Sequence, residues 1–187
     1  MEEEIKNTLE VLRKGGVILY PTDTVWGLGC DARNKEAVNK LFKIKERAEY
    51  KSVVVLVSDE TMINRYVKEV PEIAWELMES AEEPLTIVYP DGRMLAENII
   101  AADGSVGIRF VKDEFCKNLI HKFGKPITST SANISGENAP SSFSDIKLDI
   151  LNRVDYIVNL RQKETMNAKP STIIKIALNG EFKIIRK

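Results

Sequence analysis

The order of hydrophobic and polar residues divides the chain into short segments of two kinds. Apolar residues at helical spacing predict helices at residues 4–14, 35–45, 59–66, 71–78, 114–123 and 146–151. Between them lie short apolar runs, which predict strands at residues 17–20, 53–57, 85–89, 106–111, 126–129 and 156–160. Helices and strands in this order predict an α/β (α+β) fold: one domain, residues 1–187, built on a single twisted mixed sheet flanked by helices.

The C-terminal segment predicts a β-hairpin. Residues 172–178 and 181–186 alternate apolar and polar side chains, and Asn179-Gly180 between them is typical of a two-residue turn. In the simplest register for such a turn, the numbers of paired residues sum to about 359. We therefore expect Arg186 to lie opposite Ile173 and close to Ser171.

The composition argues against several classes of protein. A formal net charge of -1 argues against a protein that coats nucleic acid through bulk charge, although a local basic groove remains open. With one histidine, His121, in the chain, a histidine-based triad or a histidine-rich metal site is close to excluded. Two cysteines, Cys30 and Cys116, predict reduced thiols and a cytoplasmic location. We see no signal-peptide pattern and no apolar run near the ~20 residues that span a membrane, so no membrane association is expected.

Polar clusters follow three of the apolar runs, at the position where ligands bind in α/β proteins. These clusters are residues 22–24, residues 129–133 and Ser171-Thr172. Hydroxyl groups near cationic side chains favour a site for phosphate or carboxylate. Taken singly, such residues more often belong to turns or complement a helix dipole, but Arg109 inside a strand is harder to explain in that way. The cations near the ends of the predicted elements are Lys45, Arg47, Lys51, Arg109 and Arg186.

Five motifs occur in the order seen in the YrdC-like family, which the sequence resembles over almost its whole length. They are P-T-D-T-V-W-G-L-G (21–29), K-x-R (45–47), V-G-I-R (106–109), T-S-A-N-x-S-G (130–136) and P-S-T (170–172). The resemblance implies a YrdC/RibB-like fold with a concave ligand pocket, in the short form of the family. It also implies L-threonylcarbamoyladenylate synthase activity, in which L-threonine, bicarbonate and ATP, with Mg²⁺ bound to ATP, give threonylcarbamoyl-AMP and pyrophosphate. The product serves threonylcarbamoylation of tRNA adenosine 37, so the implied partners are tRNA or double-stranded RNA and a downstream threonylcarbamoyl transferase complex.

The resemblance also implies roles for individual residues. The residues expected to bind threonine are Thr24, Leu56, Arg109, Ser129 and Ser171, with Arg109 on the substrate carboxylate. Those expected to bind ATP are Arg47, Lys51, Ser105, Ser131, Ala139 and Arg186. The candidate catalytic residues are Lys45, Arg47, Ser131 and Asn133. No residue is expected to bind a metal directly, although Asp23 could reach magnesium through water or brace its own loop.

The sequence departs from the family pattern at a few positions and leaves two alternative functions open. Trp26 stands where the family usually has tyrosine, Ser52 replaces the usual proline, and Lys169 replaces a frequent glycine. One alternative is a non-catalytic RNA-binding module of the same fold, which would leave the small-ligand hydroxyl groups unexplained. The other is a carbamoyl-adenylate-forming domain of the hydrogenase-maturation type, whose usual acylphosphatase and cysteine-rich zinc-finger companions are not found in this sequence.

Overall fold

The computed structural model describes residues 1–46, 53–165 and 169–187. The helices of this part are α1 (Glu2–Arg13), α2 (Lys35–Ile44), α3 (Glu60–Tyr66), α4 (Glu72–Ser80), α5 (Glu114–Phe123) and α6 (Leu148–Arg153). The strands are β1 (Ile18–Tyr20), β2 (Gly27–Gly29), β3 (Val54–Val57), β4 (Leu85–Tyr89), β5 (Val106–Phe110), β6 (Ile127–Ser131), β7 (Tyr156–Ile157), β8 (Thr172–Ile176) and β9 (Phe182–Arg186). The described strands form one sheet in the order β7-β1-β2-β6-β3-β5-β4-β8-β9. The pairs β1–β7, β3–β5 and β4–β8 are parallel and the other pairs antiparallel, which confirms the expected mixed sheet.

Local sequence signals set the ends of several helices. The side chains of Asn34, Asp59 and Asp113 accept hydrogen bonds from backbone N–H groups in the first turns of α2, α3 and α5. Each bond satisfies a donor that the start of a helix leaves without a partner inside the helix. Gly124 ends α5 in the left-handed conformation, with φ 69°. The predicted ends of these three helices are thereby confirmed to within a few residues.

The two faces of the central strands have different environments. Val55 on β3 pairs with Ile108 on β5, and both belong to the hydrophobic core that also contains Leu119 and Ile120 of α5. Because side chains alternate along a strand, the neighbours of Ile108 project from the other face of the sheet. Arg109 is one of these neighbours, so the strand that supplies the core also presents the arginine singled out from the sequence.

Strand β2 lies between the predicted strand at residues 17–20 and the predicted helix at residues 35–45, where the sequence pattern predicted no element. Two of its three residues are glycines, which have weak β-propensity and give little sequence signal. The strand forms because it lies between β1 and β6 and pairs with both. A Cβ atom on Gly29 would lie 2.5 Å from the backbone oxygen of Thr128, so the close approach of the two strands requires glycine. Strand β6 also continues to Ser131, two residues beyond its predicted end.

The C-terminal hairpin forms, but its loop has three residues and not two. Ala177 N–H donates to Glu181 O, and Gly180 adopts φ 86°. The loop therefore comprises residues 178–180, with glycine at the left-handed position. A β-bulge between Ile173 and Ile174 shifts the register by one residue, so Arg186 still lies opposite Ile173 as expected.

Three expectations from composition can be compared with the structure. Cys30 and Cys116 are free thiols and both are buried. His121, the single histidine, is exposed on α5. Among the described residues, no helix combines the length and the apolar character needed to cross a bilayer.

Candidate active site

A cavity of about 470 Å³ lies on the face of the sheet that carries Arg109. Val54, Gly107 and Val88 are paired across β3, β5 and β4, and all three line the cavity, so this row of the sheet forms part of its wall. The cavity brings together polar clusters that are far apart in the sequence. The residues predicted from the sequence that line it are Thr24, Ser105, Arg109, Ser129, Ser131, Ala139, Ser171 and Arg186.

The guanidinium group of Arg109 is buried, with 4% of the residue exposed. Its Nη1 donates to Thr24 Oγ1 at 3.1 Å, and its Nη2 lies 3.1 Å from Asp23 Oδ1. The second contact is an ion pair without hydrogen-bond geometry, since Nε, Nη2 and Oδ1 have no hydrogen-bond partner among the described residues. Buried N–H groups of this kind are nearly always satisfied in folded proteins. Two donors of one guanidinium group at the cavity wall are therefore without a hydrogen-bond partner among the described residues, and a carboxylate suits such a pair of donors.

Hydroxyl groups in the loop between β1 and β2 fix the orientation of Thr24. Thr22 Oγ1 donates to Val25 O at 2.7 Å, which uses its one proton. Thr24 Oγ1, 2.9 Å away, must then donate to Thr22 Oγ1. Because Thr24 Oγ1 also accepts from Arg109, it offers the cavity at most one remaining lone pair. The loop therefore presents an acceptor to a ligand at this position.

A second polar group lies where β4, β8 and β9 meet. Thr86 Oγ1 and Ser171 Oγ are 2.8 Å apart, and Arg186 donates from Nε and Nη2 to Ser171 O at 3.2 and 2.8 Å. Burial, with a smaller effect from the charge of Arg109, lowers the pKa of Arg186. Two arginines that face one cavity favour an anionic ligand. Sequence reasoning missed Thr86, and the signal for it is its place opposite Arg109 in the antiparallel register of β4 and β5.

Lys45 and Asn133 do not line the cavity. Lys45 is buried, and its Nζ donates to the backbone oxygens of Ser131 and Asn133 at 2.5 and 2.7 Å. The Asn133 side chain donates to the backbone oxygens of Ile134 and Glu137. Both side chains thus hold the backbone that follows β6, immediately beside Ser131.

One further predicted residue is described but does not line the cavity, and two are not described. Leu56 is fully buried in β3, opposite Arg109, and is not among the lining residues. Arg47 and Lys51 lie outside the described residues.

The two thiols are poor candidates for covalent catalysis. Burial raises the pKa of Cys30 to about 12 and that of Cys116 well above its ordinary value. Cys116 Sγ donates to Pro21 O at the start of the loop that holds Thr24. Because a thiolate and not a thiol is the nucleophile, both side chains act as neutral core residues at ordinary pH.

The chain was compared with known proteins. The Sua5/YciO/YrdC family model, described as "Telomere recombination", matches residues 10–187. A threonylcarbamoyl-AMP synthase from Pseudoalteromonas translucida is 32% identical over 183 residues, which cover 96% of each chain. A putative threonylcarbamoyl-AMP synthase from Methanocaldococcus jannaschii is 34% identical over 180 residues, or 94% of this chain and 83% of the relative.

Among solved structures, P. abyssi Sua5 complexed with L-threonine superposes with a TM-score of 0.86 at 29% identity. The match covers 94% of this chain and 52% of the P. abyssi chain, so this chain spans about half the length of that protein. The family model, the two relatives and the fold agree over nearly the entire sequence. The chain belongs to the Sua5/YciO/YrdC family.

Proposed function

We propose that this chain is an L-threonylcarbamoyladenylate synthase, which makes threonylcarbamoyl-AMP and pyrophosphate from L-threonine, bicarbonate and ATP. The observation that carries the proposal is Arg109, a buried guanidinium group with two N–H donors that lack partners among the described residues and that faces a polar cavity. The names of the two relatives and the L-threonine bound to P. abyssi Sua5 support it. A nucleotidyltransferase of this type needs a site for an amino acid beside a site for phosphate.

In this proposal, the carboxylate of threonine accepts hydrogen bonds from Nε and Nη2 of Arg109. A guanidinium group binds a carboxylate best through two parallel N–H donors. Thr24 and Ser171, both buried at the cavity wall, supply hydroxyl groups to the site. Thr24 accepts from Arg109, and Ser171 shares a hydrogen bond with Thr86, which pairs with Arg109 across β4 and β5. The substrate hydroxyl and amine groups can then be oriented by neutral groups without added charge.

The chemistry in this proposal needs no covalent enzyme intermediate. The amine of threonine combines with bicarbonate to give a carbamate and water. A carbamate oxygen then attacks the α-phosphorus of ATP, a new P–O bond forms, and the bond to the β-phosphate oxygen breaks to release pyrophosphate. The work of the protein is to hold three anionic reactants together and to offset their repulsion. Buried Arg109 and exposed Arg186, whose guanidinium group Ser171 O holds at the cavity wall, are cations suited to this task.

Lys45 has a positioning role in this proposal. Its ammonium group is committed to the backbone oxygens of Ser131 and Asn133, so it acts on the substrate through the position of Ser131, which lines the cavity. Loss of Lys45 is therefore expected to slow catalysis more than it weakens threonine binding.

Magnesium fits the proposed site as a companion of ATP. Among the described residues, no group of three or more His, Cys, Asp or Glu side chains is arranged to hold a metal ion. The metal would be held mainly by phosphate oxygens and water, which magnesium favours. It supplies charge neutralisation at the phosphates, and Asp23 would contact it only through water.

The product is a reactive mixed anhydride, so a second reaction must consume it. We propose the transfer of its threonylcarbamoyl group to adenosine 37 of tRNA by a separate transferase complex. This proposal requires no RNA contact in the first reaction, and the competing function of a non-catalytic RNA-binding module does not explain the donors of Arg109.

The direct test is pyrophosphate release from ATP, with threonine, bicarbonate and magnesium omitted in turn. The proposal expects release that depends on each of the three. Release that is equally fast without threonine would contradict it, and so would tight RNA binding in the absence of any turnover.

A further inference from the structure

The loop before β5 holds Ser105 in a fixed orientation. Asp103 Oδ1 accepts from the backbone N–H of Ser105 at 3.0 Å and from its hydroxyl group at 2.6 Å. Asp103 Oδ2 accepts from Lys175 Nζ on β8 at 2.7 Å. Ser105 itself is buried, with 6% exposed, and lines the cavity. An exposed aspartate thus connects a cavity hydroxyl group to a neighbouring strand.

This arrangement sets the hydrogen-bonding polarity of Ser105. Hydrogen bonds from Lys175 and Ser105 lower the pKa of Asp103, so its carboxyl group is ionised and can only accept. A serine hydroxyl group has one proton and two lone pairs. Because the proton is committed to Asp103, Ser105 can present only lone pairs to the cavity. A phosphate oxygen is also an acceptor, so it is a poor partner for this hydroxyl group.

The position of Ser105 indicates which part of a ligand it meets. Ser105 directly precedes β5, Gly107 and Arg109 lie on it, and all three line the cavity. At about 3.3 Å per residue of extended backbone, Ser105 lies ~13 Å from Arg109. A threonine bound at Arg109 is too short to span this distance. The group at Ser105 therefore belongs to the other end of the reacting complex, the nucleoside.

We propose that Asp103 is a positioning residue that makes Ser105 an obligate acceptor for a hydrogen-bond donor on the nucleoside of ATP. The donor is either a ribose hydroxyl group or the amino group of adenine. The inference rests on the proposed function in that ATP is taken as the nucleotide. It assigns a specificity role to Asp103, which no sequence motif singled out.

Equilibrium binding of ATP analogues tests the proposal and identifies the donor. Wild-type protein is titrated with ATP, 2′-deoxy-ATP, 3′-deoxy-ATP, purine riboside triphosphate, which lacks the adenine amino group, and tripolyphosphate. One analogue should bind about 3- to 10-fold more weakly than ATP, because it lacks the donor that Ser105 accepts. Ser105→Ala should bind ATP only as tightly as the wild type binds that analogue. Its affinities for the analogue and for tripolyphosphate should be the same as those of the wild type.

Variants of the aspartate separate positioning from a general structural effect. Asp103→Ala removes the partner that fixes the orientation of the Ser105 hydroxyl group, so the discrimination between ATP and that analogue should fall below that of the wild type. Asp103→Asn should retain most of the discrimination, because its side-chain oxygen can still accept both bonds from Ser105. Asp149→Ala, which removes an exposed, ion-paired aspartate on α6 that does not line the cavity, is the matched control and should bind all ligands like wild type.

Several outcomes would overturn the inference. These are equal weakening of every analogue by Ser105→Ala, weakened tripolyphosphate binding in that variant, unchanged discrimination in Asp103→Ala, or no ATP binding by the wild type. Pyrophosphate release is measured on the same wild-type sample. If the protein turns over but Ser105→Ala does not weaken ATP relative to one analogue, this inference alone is contradicted. If Ser105→Ala has that effect but pyrophosphate release does not depend on threonine, the proposed function alone is contradicted.

Discussion

Replacement of Arg109 by methionine should remove threonine binding selectively. Methionine keeps much of the length of the side chain but none of its N–H donors. Hydrogen bonds to charged groups are worth about 1.5–3 kcal/mol each, so loss of even one predicts threonine affinity reduced by about 10- to 150-fold. Both donors without partners, Nε and Nη2, belong to this residue, so we expect the effect near the upper end. ATP affinity should change by less than about 3-fold, because in this proposal the guanidinium group binds the substrate carboxylate and not the nucleotide.

The same substitution should also cost stability, and a second variant controls for this. Asp23 is 17% exposed and would lose its ion-pair partner. An unpaired charge left in a buried site costs about 3–5 kcal/mol, and partial exposure places Asp23 near the lower value. The double variant Asp23→Asn/Arg109→Met removes that charge and should recover most of the melting temperature, with threonine binding still lost.

Calorimetric titration with threonine and with ATP, beside thermal unfolding, gives all three quantities. The reasoning predicts that threonine binding stays lost in the stable double variant. Equal losses for ATP and threonine would refute it, and so would threonine affinity that returns when stability returns.

Three further predictions concern other parts of the structure. Gly29→Ala should prevent stable folding, because its Cβ would lie 2.5 Å from a backbone oxygen. Gly107→Ala, whose Cβ would meet its nearest atom at 3.5 Å, should keep the melting temperature but narrow the cavity and weaken ligand binding. Burial raises the pKa of the Cys30 thiol from 9.0 to about 12. The stability gained from keeping this thiol protonated is therefore complete below pH 9 and is lost as the pH rises towards 12. The melting temperature, measured against pH in the alkaline range, should fall less steeply for Cys30→Ala than for the wild type. Arg186→Gln should weaken ATP by about 3- to 10-fold at low salt and by less at high salt, with threonine affinity unchanged, and a titration at two salt concentrations checks this.

Sequence patterns predicted the parts of the fold that depend on local chemistry. The starts of α2, α3 and α5 were predictable, because their caps, Asn34, Asp59 and Asp113, bond to backbone N–H groups only three positions away. Strand β2 was not recognisable, because two of its three residues are glycines and its stability comes from β1 and β6. The hairpin turn was predicted from Asn179-Gly180. The three-residue loop and the bulge that restores the register at Ile173 were not predicted, because both depend on how the two strands pack.

In the candidate site, too, some residues were predictable from the sequence and others depend on contacts between distant segments. The family resemblance named eight of the residues that line the cavity, including Thr24 and Arg109. They did not indicate Thr86 or Asp103, whose roles arise from strand register and from a contact with Lys175 across the sheet. Contacts of this kind become visible only when distant segments are placed side by side.

The central claim is that one protein joins threonine, bicarbonate and AMP, and isotope incorporation tests it most directly. Purified protein is incubated with ATP, ¹³C-bicarbonate and ¹⁵N-threonine, and the products are resolved by mass spectrometry. We predict one nucleotide adduct that carries both labels, formed in amounts equal to the pyrophosphate released and absent from Arg109→Met. Pyrophosphate release without a doubly labelled adduct, or an adduct that carries the bicarbonate label without threonine, would contradict the claim.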